Sequence, residues 1–169
     1  MILNAPSPLI GIEPEILLRL GVAAVLGLLL GLDREVRGRA AGVRTHGLVC
    51  FAAAAMTVST LSLYLQLAAD GGAQRMDPLR IFEATGAFIG IVGAGLIVFS
   101  KGRVHNLTTA ANLWLAAVIG IACGAGQWPL VAVCAIVSLV MITVVRLAEK
   151  KFEGRHEPGS PGEREAPEP

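Results

Sequence analysis

Hydrophobic residues fall into five long runs, at residues 16–32, 47–69, 82–99, 107–125 and 128–145, parted by short polar stretches. A helix that crosses a bilayer needs ~20 mostly apolar residues, within a range of roughly 17–25. Each run therefore predicts one spanning helix. The fourth is diluted in its first turns by Thr108, Thr109 and Asn112. Leaving it out would place Lys101 and Arg103 on the opposite side of the membrane from the basic C-terminal segment. The pattern predicts an all-α, polytopic bundle of five transmembrane helices.

Charge gives the bundle a direction. Short loops rich in Lys and Arg stay on the cytoplasmic side. With the N-terminus outside and the C-terminus cytoplasmic, eleven basic residues lie inside and only Arg19, Arg75 and Arg80 lie outside. The location expected is a membrane, crossed several times.

Composition agrees with that class. The chain is 54% apolar and only 16% charged, a balance that soluble domains seldom reach. No basic face with interleaved aromatics occurs, so nucleic acid is not an expected partner. Cys50, Cys123 and Cys134 sit inside apolar runs without paired spacing and read as packing residues. Residues 1–14 read as a short extracytoplasmic segment without the basic start of a cleaved signal. Residues 15–149 form the membrane domain. Residues 150–169, rich in Pro, Gly and Glu, read as a disordered cytoplasmic tail rather than a second folded domain.

Small residues recur at helical spacing. Ala23, Gly27 and Gly31 form a row that continues to Glu35. Gly86, Gly90 and Ala94 form a second, with Gly93 and Gly95 beside it and Glu83 one turn ahead. Thr108, Asn112, Ala116, Gly120 and Gly124 form a third. Membrane helices associate through such residues because lipid tails are as apolar as leucine. Gly27, Gly31, Gly86, Gly90, Gly93, Gly120 and Gly124 are therefore the expected packing positions. Polar residues that extend the rows, Glu35, Glu83, Thr108 and Asn112, are expected to face inward.

The expected topology brings two loops, residues 33–46 and 100–109, to the cytoplasmic face. Between them lies the candidate polar cluster: Asp33, Arg34, Glu35, Arg44, Thr45, Thr108, Thr109 and Asn112. Oxygen ligands beside carboxylates could hold a hydrated Mg²⁺, as ligand or as substrate. Alternatively, Asp33 and Glu35 pair with Arg34, Arg37 or Arg44 and tie helix ends together. Asn106 or Thr108 could cap the fourth helix and Thr45 the second, and the arginines could simply snorkel. Glu83 is expected to pair with Arg80. His46 and His105 lack ligand spacing and are assigned no metal. No nucleophile elbow, His-Glu-x-x-His or phosphate-binding loop occurs, so neither an enzyme nor a cofactor is expected.

Four motifs in order resemble the MgtC/SapB family. They are Gly31-Leu32-Asp33-Arg34-Glu35, Ala41-Gly42-Val43-Arg44-Thr45-His46, Gly90-Ile91-Val92-Gly93-Ala94-Gly95, and Asn106-Leu107-Thr108-Thr109-Ala110-Ala111-Asn112-Leu113-Trp114. The resemblance covers residues 14–145. In that family the first motif carries Glu-Arg where this chain has Asp33-Arg34, and the fourth begins with glycine where it has Asn106. An aromatic residue of the third motif corresponds to Ile91. The resemblance implies a five-helix inner-membrane domain linked to magnesium limitation and membrane energetics. The soluble C-terminal domain of the MgtC branch has no counterpart in these residues.

Two functions are open at this point. One is a regulatory module that docks against another membrane protein, or a second copy, and modulates ion homeostasis. The other is a transporter of Mg²⁺ or another cation through Asp33, Glu35 and the Thr108/Asn112 row. Transporters usually place ionisable or unwound elements near the bilayer midplane. Here the charges lie near helix ends, which favours regulation.

Overall fold

The computed structural model describes residues 13–69, 77, 79–100 and 102–153. Five helices form: α1 (Pro14–Val36), α2 (Val43–Ala69), α3 (Arg80–Leu96), α4 (Leu107–Gly124) and α5 (Trp128–Glu153). The expected segments 1–14 and 150–169 lie mostly outside the described residues. Helix α5 continues to Glu153, well past residue 145 and into the stretch read as tail.

Backbone punctuation sets the ends. Pro14 opens α1, where its missing N–H costs nothing. At the far end, Gly38 adopts φ +60°. Its N–H donates to Glu35 O and that of Arg39 to Arg34 O, the paired bonds of a Schellman stop. Helix α4 ends in the same way at Gly126, φ +69°, with bonds from Gly126 to Cys123 and from Gln127 to Ala122.

One element departs from the expected pattern. The third helix was expected to run through Phe99, but α3 stops at Leu96. Val98–Ser100 (β1) and Arg103–His105 (β2) pair as an antiparallel hairpin, with Phe99 opposite Val104. Val98, Phe99 and Val104 have strand preference, and Gly102 at φ +75° makes the tight connection. An apolar run does not by itself separate strand from the last turn of a helix.

Helix α4 is the axis of the bundle and touches all four other helices. Its faces are buried from Ile119 through Gly124. Glycine sets how close its neighbours come. A Cβ on Gly120 would lie 2.2 Å from the Cys50 carbonyl oxygen, and one on Gly124 2.5 Å from that of Ala54. On α1, a Cβ at Gly27 would meet the Cys50 Cβ at 2.6 Å, and one at Gly31 the Val43 Cα at 2.6 Å. Helices α1, α2 and α4 thus interlock backbone to backbone.

The core that results is small-residue: Ala23, Cys50, Ala54, Ala116 and Ala122 are buried, while Leu17, Val25, Leu29, Phe88, Ile136 and Leu139 face outward. A soluble protein has the reverse arrangement. Only a lipid environment removes the cost of so much apolar exterior. By length and composition, Pro14–Val36, Val43–Ala68 and Leu107–Gly124 can each cross a membrane. Helix α3 has 17 residues, at the short limit, and α5 has an apolar stretch over Trp128–Met141.

Candidate functional site

Three tertiary contacts gather the C-terminal ends of α1 and α3 with the N-terminal ends of α2 and α4. The Arg34 Nη2 donates to the Thr109 Oγ1 at 2.7 Å, joining α1 to α4. The Val43 N–H donates to the Glu35 Oε2 at 3.0 Å, joining α1 to the start of α2. The Asn106 Nδ2 donates to the Leu96 carbonyl at 3.0 Å, joining the start of α4 to the end of α3.

These contacts explain an oddity of the sequence. Acids gain nothing at the partly negative C-terminal end of a helix, yet Asp33 and Glu35 both sit there. Glu35 serves the next helix: its carboxylate accepts one of the open N–H groups at the start of α2, where negative charge is favourable. Gly42 makes room for it, since a Cβ there would fall 1.7 Å from the Glu35 Oε2. Asp33 points elsewhere and pairs with Arg37 one turn on, at 3.1 Å. The two carboxylates therefore do not converge.

Asn106 does not cap α4 with its side chain. It occupies the left-handed region, φ 64°, which Asn and Gly adopt more readily than other residues. Asparagine therefore fits this position with less strain than most residues would carry. Its amide instead closes the end of α3. Thr45 lies inside α2 and makes no described cap, because Glu35 occupies that end. Arg44 is exposed.

A cavity of about 360 Å³ opens among these ends. Asp33, Arg34, Arg37 and Arg39 line it from the end of α1. Asn106, Thr108, Thr109 and Asn112 line it from the start of α4, and Ser138 and Met141 from α5. Of the polar cluster expected from sequence, Asp33, Arg34, Thr108, Thr109 and Asn112 meet at this cavity; Glu35, Arg44 and Thr45 do not line it. Thr109 is buried beneath Arg34, whereas Thr108 is exposed at the rim rather than turned inward. Arg39 and Ser138 were not among the expected site residues, and Arg37 was expected only as one possible partner of the carboxylates. The Asp33–Arg37 spacing of four is the one that lets this pair form along a helix face.

Glu83 is exposed and, among the described residues, makes no ion pair with Arg80. Gly86 faces the Trp114 ring and Gly93 the Ala110 Cβ, but a Cβ on Gly90 would meet nothing within 4 Å. His46 is fully buried with its Nδ1 3.0 Å from the Gly42 carbonyl oxygen, and its Nε2 has no hydrogen-bond partner among the described residues. His105 is exposed on β2. Among the described residues no group of three or more His, Cys, Asp or Glu could hold a metal ion.

Sequence reasoning missed a contact at the opposite end of the bundle. The Arg19 Nη1 donates to the Gly124 carbonyl at 3.0 Å while its guanidinium pairs with Glu15. A cation there is favoured by the negative end of α4. Its signal was an arginine inside an apolar run, four residues after an acid.

The profile of the MgtC family matches residues 20–151. Protein SapB of Bacillus subtilis is 34% identical over 122 residues, covering 68% of this chain and 50% of SapB. The putative magnesium transporter YhiD of Escherichia coli K12 is 34% identical over 131 residues, covering 77% of this chain and 60% of YhiD. Protein MgtC of Salmonella typhimurium LT2 is 34% identical over 136 residues, covering 80% and 54%. The chain thus spans between half and three fifths of the length of these relatives. No solved structure matches it.

Proposed function

The chain belongs to the MgtC family, and from that premise we propose that it is a regulatory membrane protein of Mg²⁺ homeostasis that acts by docking to other membrane proteins. In this reading all five helices cross the inner membrane, the N-terminus is outside, and the polar cavity opens to the cytoplasm. The distribution of basic residues supports that orientation. The similarity to YhiD, a putative magnesium transporter, supports the link to magnesium. The protein is read as having no enzymatic activity.

The observation that carries the choice of regulation over transport is the fate of the two carboxylates. A hydrated Mg²⁺ is usually held by one or two carboxylates. Glu35 is engaged with the first N–H of α2, and Asp33 faces Arg37 in a cavity whose described lining has three arginines. That surrounding repels a divalent cation. Below it, α4 is packed against its neighbours by close backbone contact at Gly120 and Gly124, with no charged residue in α4 itself.

Mg²⁺ flux into proteoliposomes holding the purified protein tests the reading, with growth of a deletion strain under magnesium limitation alongside. The expected result is no flux from folded protein, together with altered growth that the wild-type gene restores. Flux that disappears in Asp33→Asn would make the protein a transporter. Asp33→Asn is the suitable probe, because a change at Glu35 also removes the cap on α2.

A further inference from the structure

The cavity has a charge and a shape that the regulatory reading does not use. Its described lining carries the guanidinium groups of Arg34, Arg37 and Arg39 together with the carboxylate of Asp33. Asp33 is itself neutralised by Arg37 at 3.1 Å. The hydrogen bond to the buried Thr109 holds the Arg34 guanidinium in the wall. Thr108 adds a hydroxyl, and Asn106 and Asn112 add amides.

The backbone adds to the same field. Ala110 is the first residue of α4 to donate back, to the Asn106 carbonyl. The N–H groups of the three residues before it point out of the helix end that lines the cavity, the arrangement that favours anions. The lining also runs along α4 from Thr108 to Leu115, two turns or about 10 Å, and meets Met141 of α5. A charged mouth therefore leads into an apolar wall, at the end of helices long enough to span a membrane. Guanidinium forks and hydroxyls are the groups that match tetrahedral phosphate oxygens.

We propose that this cavity is a binding site for a phosphate group, delivered as free phosphate or as the headgroup of an anionic phospholipid. The proposal holds whether the protein regulates or transports.

The test uses the intact protein with inorganic phosphate in one arm and phosphatidylglycerol in the other. Isothermal titration in mild detergent reads phosphate. Native mass spectrometry from nanodiscs of phosphatidylethanolamine with a minor fraction of phosphatidylglycerol reads lipid retention. The variant is Arg39→Gln with Thr108→Val; both residues are exposed and neither side chain makes a described hydrogen bond, so an unchanged melting temperature is expected. If the pair lowers the yield, Arg39→Gln alone serves. Arg103→Gln on the nearby exposed hairpin is the control for surface charge.

Saturable phosphate binding without added lipid assigns the free ion; one retained phosphatidylglycerol per chain that phosphate does not displace assigns the headgroup. In either case the cavity variant weakens binding by roughly tenfold or more, the loss expected for a charge-assisted hydrogen bond, and Arg103→Gln leaves it unchanged. Absence of both kinds of binding overturns the proposal. So does equal binding by the cavity variant, or equal weakening by Arg103→Gln.

Discussion

Alanine at Gly120 adds a methyl where α2 and α4 already touch. Its Cβ would lie 2.2 Å from the Cys50 carbonyl oxygen and 2.9 Å from the Ala53 Cβ, against an ordinary contact of 3.4 Å or more. The obstacle is backbone, so no side chain can swing aside. The helices must separate locally by about 1.2 Å, the shortfall at Cys50. A gap of about 1 Å forfeits up to half of each pairwise dispersion well of ~0.1–0.2 kcal/mol, and a helix–helix seam contains tens of such pairs. The cost is therefore about 2–4 kcal/mol, consistent with overpacking elsewhere. Gly90 supplies the matched control, since its Cβ meets open space. Alanine there gains helix propensity of roughly 0.5–1 kcal/mol at no steric cost. Unfolding of both variants by a denaturing detergent, read by circular dichroism, should give shifts of opposite sign. Equal stability of Gly120→Ala and Gly90→Ala would refute the reasoning, because the two differ only in what surrounds them.

Other substitutions test the contacts at the cavity end. Glu35→Ala should lower stability by roughly 1 kcal/mol, the usual value of a helix cap, and Glu35→Gln by less, because the amide oxygen still accepts; thermal unfolding in detergent measures both. A double-mutant cycle on Arg34→Lys and Thr109→Val should show a coupling of about 1–2 kcal/mol through their 2.7 Å hydrogen bond. Additive effects would mean that the bond contributes nothing. Asn106→Ala should cost about 1–3 kcal/mol from the left-handed backbone and the lost bond to Leu96, while Asn106→Gly should lose only the bond. Bulky substitution at Gly90 should leave the single chain folded but displace any partner or second copy seated on the open face of α3, which co-purification in mild detergent reads.

The number, order and apolar character of the helices were legible in the chain because they rest on local properties. A run of apolar residues must be helical in lipid, where each backbone group needs a partner within its own segment. Glycine at Gly38 and Gly126 follows from the turn each makes. Asp33 and Glu35 were expected in one cluster, although residues two apart on a helix do not share a face. What lay beyond sequence was the partner each group found. Glu35 caps a helix that begins eight residues later, and Arg34 reaches a threonine 75 positions away. Gly90 and Gly120 sit in similar rows of small residues, yet one faces open space and the other a carbonyl oxygen. The hairpin at Val98–His105 replaced a helical turn by pairing two short segments across Gly102. Periodicity specifies which residues share a face; only packing decides what that face meets, because the choice depends on the summed contacts of several helices at once.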